Sequence, residues 1–376
     1  MTDSPIAFSG ARIFDGEAFH DHAALVVENG RVAGIGAPPA EARIVQLDGG
    51  TLAPGYVDLQ VNGGAGLLVG PGTTAADLGT ICRTHAQFGV VGLLPTLITD
   101  KAEITDAVLA AGATAARAGT AGFLGLHLEG PHLSLARKGA HDPDLIRPMD
   151  EADIVRLERA RGTLPHLLVT VAPETVTPEQ IARLARAGIV VSLGHSDASY
   201  EVAAAAIRAG ASMATHLFNA MSQIGNRDPG VAGAALDQGS VWAGLIADGI
   251  HVNPATVGIA RRSKNGPGRI FLVSDSMSQA GTDIESFELN GRTIFRKDGA
   301  LRLVDGTLAG ADLTLDAAVR YAHFELGIEL GESLRMAALY PAQAIGSERL
   351  GRLTPGSEFK PVWLDAKLNV RTLPTP

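Results

Sequence analysis

A single cysteine, Cys82, stands in a chain of 376 residues. One thiol cannot close an internal disulfide and cannot furnish a Cys₂ or Cys₄ metal site, so disulfide-stapled secreted scaffolds and zinc ribbons are excluded. Basic residues are also short: 31 Lys and Arg against 40 Asp and Glu leave a formal charge of −9. That balance does not suit a nucleic-acid binder, which carries a basic patch or a high pI. It leaves room for an anionic small substrate, because charge at a pocket can differ from the total. Aromatics are only 5%. The 45 glycines and many alanines imply close helix–strand packing instead. No run approaches the ~18 apolar residues of a spanning helix. The opening MTDSPIAF lacks the basic-then-apolar order of a secretory leader, so a cytoplasmic location is expected. Hydrophobic content of 46% is that of a folded globular chain.

The first fifty residues read as short strands, with Asn29-Gly30 as a hairpin turn. From residue 54 eight apolar runs follow: GYVDLQVN, GVVGLLPT, FLGLHLEG, LLVTVAPE, IVVSLGHS, MATHLFNA, WAGLIADG and IFLVSDSM. Amphipathic or Ala-rich stretches separate most of them, several ending in Gly, the usual helix C-cap. The connection after MATHLFNA is the least regular. Eight buried strands with intervening helices predict an α/β fold, a (β/α)₈ barrel of the TIM type. Asn290-Gly291 and Asp298-Gly299 mark a small β insertion after the eighth strand. The last thirty residues are β-like again. The simplest assembly is a small β-sandwich domain from 1–53 plus 347–376, flanking a barrel over 54–346.

Active sites of such barrels lie at the C-terminal ends of the strands. Reading those ends in order gives Gln60 and Asn62, Glu129, His195, His216 and Asp275, with His251 just beyond the seventh strand. Glu129, His195 and His216 form a His₂Glu set suited to one divalent ion, Zn²⁺ first, with Fe²⁺, Mn²⁺ or Co²⁺ as alternatives. The competing reading gives them separate structural roles, as a cap and two core histidines. Asp275 is either a helix N-cap or a general base toward a metal-activated water. His141, in the loop EGPHLSLARKGAH where Gly139 brings backbone near the site, either donates to a substrate carbonyl or is an exposed loop histidine. Asn219 and Ala220 offer amide contacts. Arg227 is suited to an anion through its planar fork, and equally to a solvated surface. Cys82 reads as a core residue, and His127 shares the Glu129 face. Gly63, Gly64 and Gly66 are not a dinucleotide fingerprint, because no helix opens on them.

The segments PGYVDLQVNGG, HLEGPHLS with KGAH downstream, LGHSDA, THLFNAMS, ADGIHV, LVSDSM and GTLAG span residues 54 to 310. Together they resemble the amidohydrolase superfamily and, within it, the N-acetylglucosamine-6-phosphate deacetylases. The resemblance implies a metal held by Glu129, His195 and His216, Asp275 as acid/base and His141 as carbonyl polariser. It implies substrate contacts from Ala140, Asn219, Ala220, Arg227, His251 and Leu308, Ala309 and Gly310. It also implies a homodimer or homotetramer in which Arg227 and His251 reach the sugar phosphate, partly across the interface. The activity implied is hydrolysis of N-acetyl-D-glucosamine 6-phosphate to D-glucosamine 6-phosphate and acetate. The alternatives are an amidohydrolase for another N-acylated or cyclic amide and a non-catalytic metal-binding barrel. Most of the superfamily carries His-x-His at the end of the first strand, where it holds a second metal. Here Gln60-Val61-Asn62 stands there, and the fourth strand has no lysine, so one metal per chain is expected. His132 also departs from the family pattern.

Overall fold

A computed structural model describes residues 4–374. Eight parallel strands run in sequence order around the core: β1 (Tyr56–Val61), β2 (Val90–Ile98), β3 (Gly125–Glu129), β4 (His166–Val171), β5 (Val190–Leu193), β6 (Met213–Ala214), β7 (Trp242–Leu245) and β8 (Ile270–Leu272). All eight apolar runs become strands. They are almost wholly buried, as a parallel sheet covered by helices on its outer face requires. The outer helices begin where the side chains can cap them. Thr74, Asp150 and Thr177 each accept from the third helical amide, and that third residue's side chain reaches back to the cap amide. The irregular sixth connection has a local cause. β6 is two residues long, and the backbone then turns left-handed at His216, Phe218 and Ala220.

Two further sheets flank the barrel. One has strand order Arg31–Gly36, Ala24–Glu28, Ile6–Ser9, Arg43–Gln46. The other joins the two ends of the chain, because Thr51–Pro54 pairs antiparallel with Pro361–Leu364. These sheets enclose their own core around Phe8, Leu25, Val32, Leu52 and Trp363. After β8 a four-stranded antiparallel sheet (Ser286–Leu289, Arg292–Lys297, Ala300–Arg302, Leu308–Ala311) folds over the barrel mouth. Its turns Asn290-Gly291 and Asp298-Gly299 have positive φ at both positions, as a tight two-residue hairpin loop requires. Met277, Leu289, Ile294, Leu301 and Ala309 form the core beneath it, against Ile98 and Ala140. No helix among the described residues is long and apolar enough to cross a membrane.

Candidate active site

Glu129 closes β3, His195 and His216 each follow their strand by two residues, and Asp275 follows β8 by three. His195, His216 and Asp275 adopt φ of 47°, 27° and 50°. Such a conformation costs a non-glycine residue about 1–3 kcal/mol and persists only where surrounding structure enforces it. Here it turns three side chains from the strand direction onto the barrel mouth.

The donor atoms converge. His216 Nε2 lies 3.0 Å from Glu129 Oε1, His195 Nε2 lies 3.3 Å from the same oxygen, and the two Nε2 atoms are 3.1 Å apart. Ligands about 2.0–2.1 Å from a tetrahedral ion sit about 3.3 Å from one another, so the spacing fits a shared metal. His195 Nδ1–H donates to the Arg137 carbonyl at 2.8 Å, which leaves the Nε2 lone pair facing the site. His216 Nδ1 is buried with no hydrogen-bond partner among the described residues. Burial works to raise the Glu129 carboxyl, but the adjoining His195 and His216 imidazoles overcome it and hold it well below the usual range.

His141 also brings a ring nitrogen within 4.8 Å of Glu129 and His195 donors, so it competes with His216 for the third ligand position. The hydrogen bonds decide against it. The Thr99 amide, which can only donate, points at His141 Nδ1 (3.4 Å), and the Thr99 hydroxyl lies 2.7 Å from the same atom. Nδ1 is therefore the acceptor and Nε2 carries the proton. A protonated nitrogen cannot ligate but can donate to an oxyanion. Burial, then repulsion from His195, keeps His141 neutral by pushing its pKa well below the usual histidine value.

Gln60 and Asn62 have a positive function in this arrangement. Gln60 Nε2 donates to both Glu129 oxygens (3.2 and 3.3 Å), and Asn62 Nδ2 donates to Asp275 Oδ1 at 2.8 Å. Each amide stands against one carboxylate. Burial, and then the negative Glu129, push Asp275 up to about 6, a value suited to taking and returning a proton near neutrality. Above these groups opens a cavity of about 380 Å³, within the range of small-molecule sites. Ala140, His141, Asn219, Ala220, His251, Leu308, Ala309 and Gly310 all line it, with Asn62, Glu129, His195, His216 and Asp275 at its floor. Arg227 does not line it and is exposed on the loop beyond β6.

Residues 51–373 match the family model described as the amidohydrolase family. The chain belongs to the amidohydrolase family. It is 39% identical over 369 residues to the N-acetylgalactosamine-6-phosphate deacetylase of Shewanella sp. (strain ANA-3), covering 97% of this chain and 93% of the relative. It is 37% identical to the N-acetylglucosamine-6-phosphate deacetylase of Haemophilus influenzae, covering 88% of each. The solved N-acetylglucosamine-6-phosphate deacetylase of Pasteurella multocida superposes with a TM-score of 0.93 at 34% identity, covering 97% of each chain. The amidohydrolase family is metal-dependent, and Glu129, His141 and His195 form a Glu/His/His cluster close enough to hold a metal ion.

Several supports of this amidohydrolase site were not among the residues expected to act in it. Thr99 fixes His141, and the Arg137 carbonyl fixes His195. Asp248 accepts from His251 Nδ1 at 2.6 Å and from the amides of Ile250 and His251. Its sequence signal is its place in ADGIHV, three residues before His251. Arg292, from the sheet over the mouth, donates to the Ala140 carbonyl. His132 now has a structural account. Its Nδ1 donates to the Arg147 carbonyl (3.1 Å), its Nε2 lies 3.6 Å from Asp153, and Arg147 and Arg156 both grip Asp153. This cluster ties the start of the His141 loop to its end. His127 sits between Thr96 and Thr170, beneath the site.

Proposed function

We propose that this amidohydrolase hydrolyses the acetamide of N-acetyl-D-glucosamine 6-phosphate to D-glucosamine 6-phosphate and acetate. The observation that carries the proposal is the convergence of Glu129, His195 and His216 beside Asp275 and His141 at the floor of one cavity. The names of the relatives support the substrate class. Glu129, His195 and His216 would hold one divalent ion, with zinc as our assignment. When bound, it supplies Lewis acidity and lowers the pKa of water toward ~7. Asp275, oriented by Asn62, takes the proton of the attacking water and delivers it to the departing amine. An alkylamine anion is a very poor leaving group, so this delivery matters as much as the first transfer. His141 donates from Nε2 to the developing oxyanion, often the largest catalytic contribution. Ala140, Asn219, Ala220 and Leu308–Gly310 line the sugar's place.

The phosphate is assigned to His251 and Arg227. Because Arg227 stands off its own chain's cavity, the proposal includes a homodimer or higher oligomer in which it reaches the partner's site. The enzyme is placed in the cytoplasm. The flanking domain is assigned to 1–53 and 347–376 and the barrel to 54–346, a division supported by the ladder joining Thr51–Pro54 to Pro361–Leu364.

A second reading, deacetylation of the C4 epimer N-acetylgalactosamine 6-phosphate, is favoured by the 39% identical relative. Acetate release from both hexosamine phosphates, from unphosphorylated N-acetylglucosamine and from a cyclic imide tests both. A higher kcat/KM on the gluco epimer, abolished by chelator, is expected. A preference for the galacto epimer would replace the first reading with the second, and turnover of only the cyclic imide would sink both.

A further inference from the structure

The barrel is not closed by a backbone ladder. Parallel pairing runs from β1 through β8 without a gap, but among the described residues the return to β1 rests on one isolated bridge, from Val61 to Ser276 beyond the end of β8. Closed barrels join last strand to first with continuous hydrogen bonds. Here β8 is three residues long, and Asp275 turns left-handed soon after it. The amides beyond Leu272 therefore need other partners.

Alternate residues of β1 and its end supply them. The Gln60 carbonyl accepts the Asp275 amide at 3.0 Å, and the Asn62 amide donates to the Ser276 carbonyl at 2.7 Å. One β-period below Gln60 stands Asp58, with no exposed surface. Both its carboxyl oxygens accept the Ser274 amide, at 3.2 and 3.3 Å, and one also accepts the Gln60 amide. Asp58 takes part in no ion pair among the described residues, and burial pushes its carboxyl up to about 7, with Ser274 donating against that rise. A buried acid without a counter-ion is costly.

We infer that Asp58 is a positioning residue for Asp275: its carboxyl takes the place of the missing seam ladder, fixes the Val273–Ser274 peptide that leads into Asp275, and so aims the acid/base at the reacting atoms. Residues 58, 60 and 62 then form one row. The first grips the Ser274 amide, the second the Asp275 amide and the third the Asp275 carboxylate. The inference rests on the role proposed for Asp275, and the experiment separates the two.

Asp58→Leu keeps the branched heavy-atom skeleton, with bulkier tips, and removes the acceptor, whereas Asp58→Asn keeps one carbonyl oxygen. Misplacing a catalytic group by about 1 Å costs about 100-fold. Asp58→Leu is therefore expected to lose about 100-fold in kcat, with KM within twofold and bound metal unchanged. Asp58→Asn should recover to within tenfold of the unmodified enzyme. Retained kcat in Asp58→Leu, equal loss in both variants, or a parallel fall in kcat and metal content would overturn the inference. Amide exchange over residues 273–276 reads the seam without any assay. Faster exchange confined to that segment in Asp58→Asn is expected, and unchanged exchange overturns the inference even if Asp58→Leu does not fold. If the unmodified protein releases no acetate from any substrate while exchange behaves as expected, the seam stands and the functional reading falls.

Discussion

Asn62 Nδ2 donates to Asp275 Oδ1 at 2.8 Å, so the residue at the end of the first barrel strand holds the carboxylate proposed as the acid/base. Partners that orient an active group typically contribute 10- to 100-fold. Asn62→Ala is expected to lower kcat by about that factor with one metal equivalent still bound, measured by steady-state kinetics and metal analysis. Two tight equivalents per chain in the unmodified protein would contradict the single-site reading.

Asp275 is raised to about 6 by burial and by Glu129. A raised carboxyl holds its proton to higher pH, so the base form is lost below about 6 rather than below about 4. The acid limb of kcat is expected to fall between these values, nearer 6 when the positive ion's influence is weakest. Asp275→Asn should lower kcat by about 10²–10⁴ with metal retained. Near-normal turnover would remove Asp275 from the mechanism.

Arg227 lies off its own cavity. Arg227→Ala should raise KM for the 6-phosphate far more than for free N-acetylglucosamine. Mixing Arg227→Ala chains with Asp275→Asn chains should restore turnover above the sum of the two, because a mixed dimer holds one complete site. No gain after confirmed subunit exchange would place Arg227 elsewhere.

Chelation tests the His₂Glu centre by stability. A ligand present at about 1,000 times its Kd stabilises by about 4 kcal/mol. Stripping the ion should lower Tm and activity together, with both restored by zinc. His216→Ala should abolish the Tm response to zinc, and His141→Ala should keep it.

Asp153 is held at about 2: burial opposes this, but hydrogen bonds from Arg147 and Asp150 prevail. A depressed folded-state pKa contributes stability above the unfolded value, near 4, and loses it as pH falls toward 2. Asp153→Asn should therefore lower Tm at pH 7, and the gap from the unmodified protein should narrow below pH 4. A pH-independent gap would show that packing, not charge, is lost.

Much of this was legible in the residue order. Strand runs bounded by Gly and helix caps revealed all eight barrel strands, because buried parallel strands must be apolar throughout. Glu129, His195, His216 and Asp275 were visible as polar residues ending those runs. Thr99 and Arg137 were not. Thr99 is a common residue type after a strand, and Arg137 acts through its carbonyl, which every residue possesses. Asp58 reads as one acid in a buried strand, and its partner Ser274 is 216 positions away. Nothing local records such a pairing. For Arg227 the residue order leaves an anion site and a solvated surface equally open, and its place off its own cavity depends on how the β6 loop leaves the barrel.

The ladder between Thr51–Pro54 and Pro361–Leu364 bears on how the chain is made. During synthesis the first of these strands leaves the ribosome about 300 residues before its partner, roughly 15–60 s at 5–20 residues per second. For that interval one side of Thr51–Pro54 offers unpaired backbone groups, the kind of edge that recruits foreign strands. Release of the final segment is then the event that covers it, so truncated products of this chain should be aggregation-prone even when their barrel strands are all present.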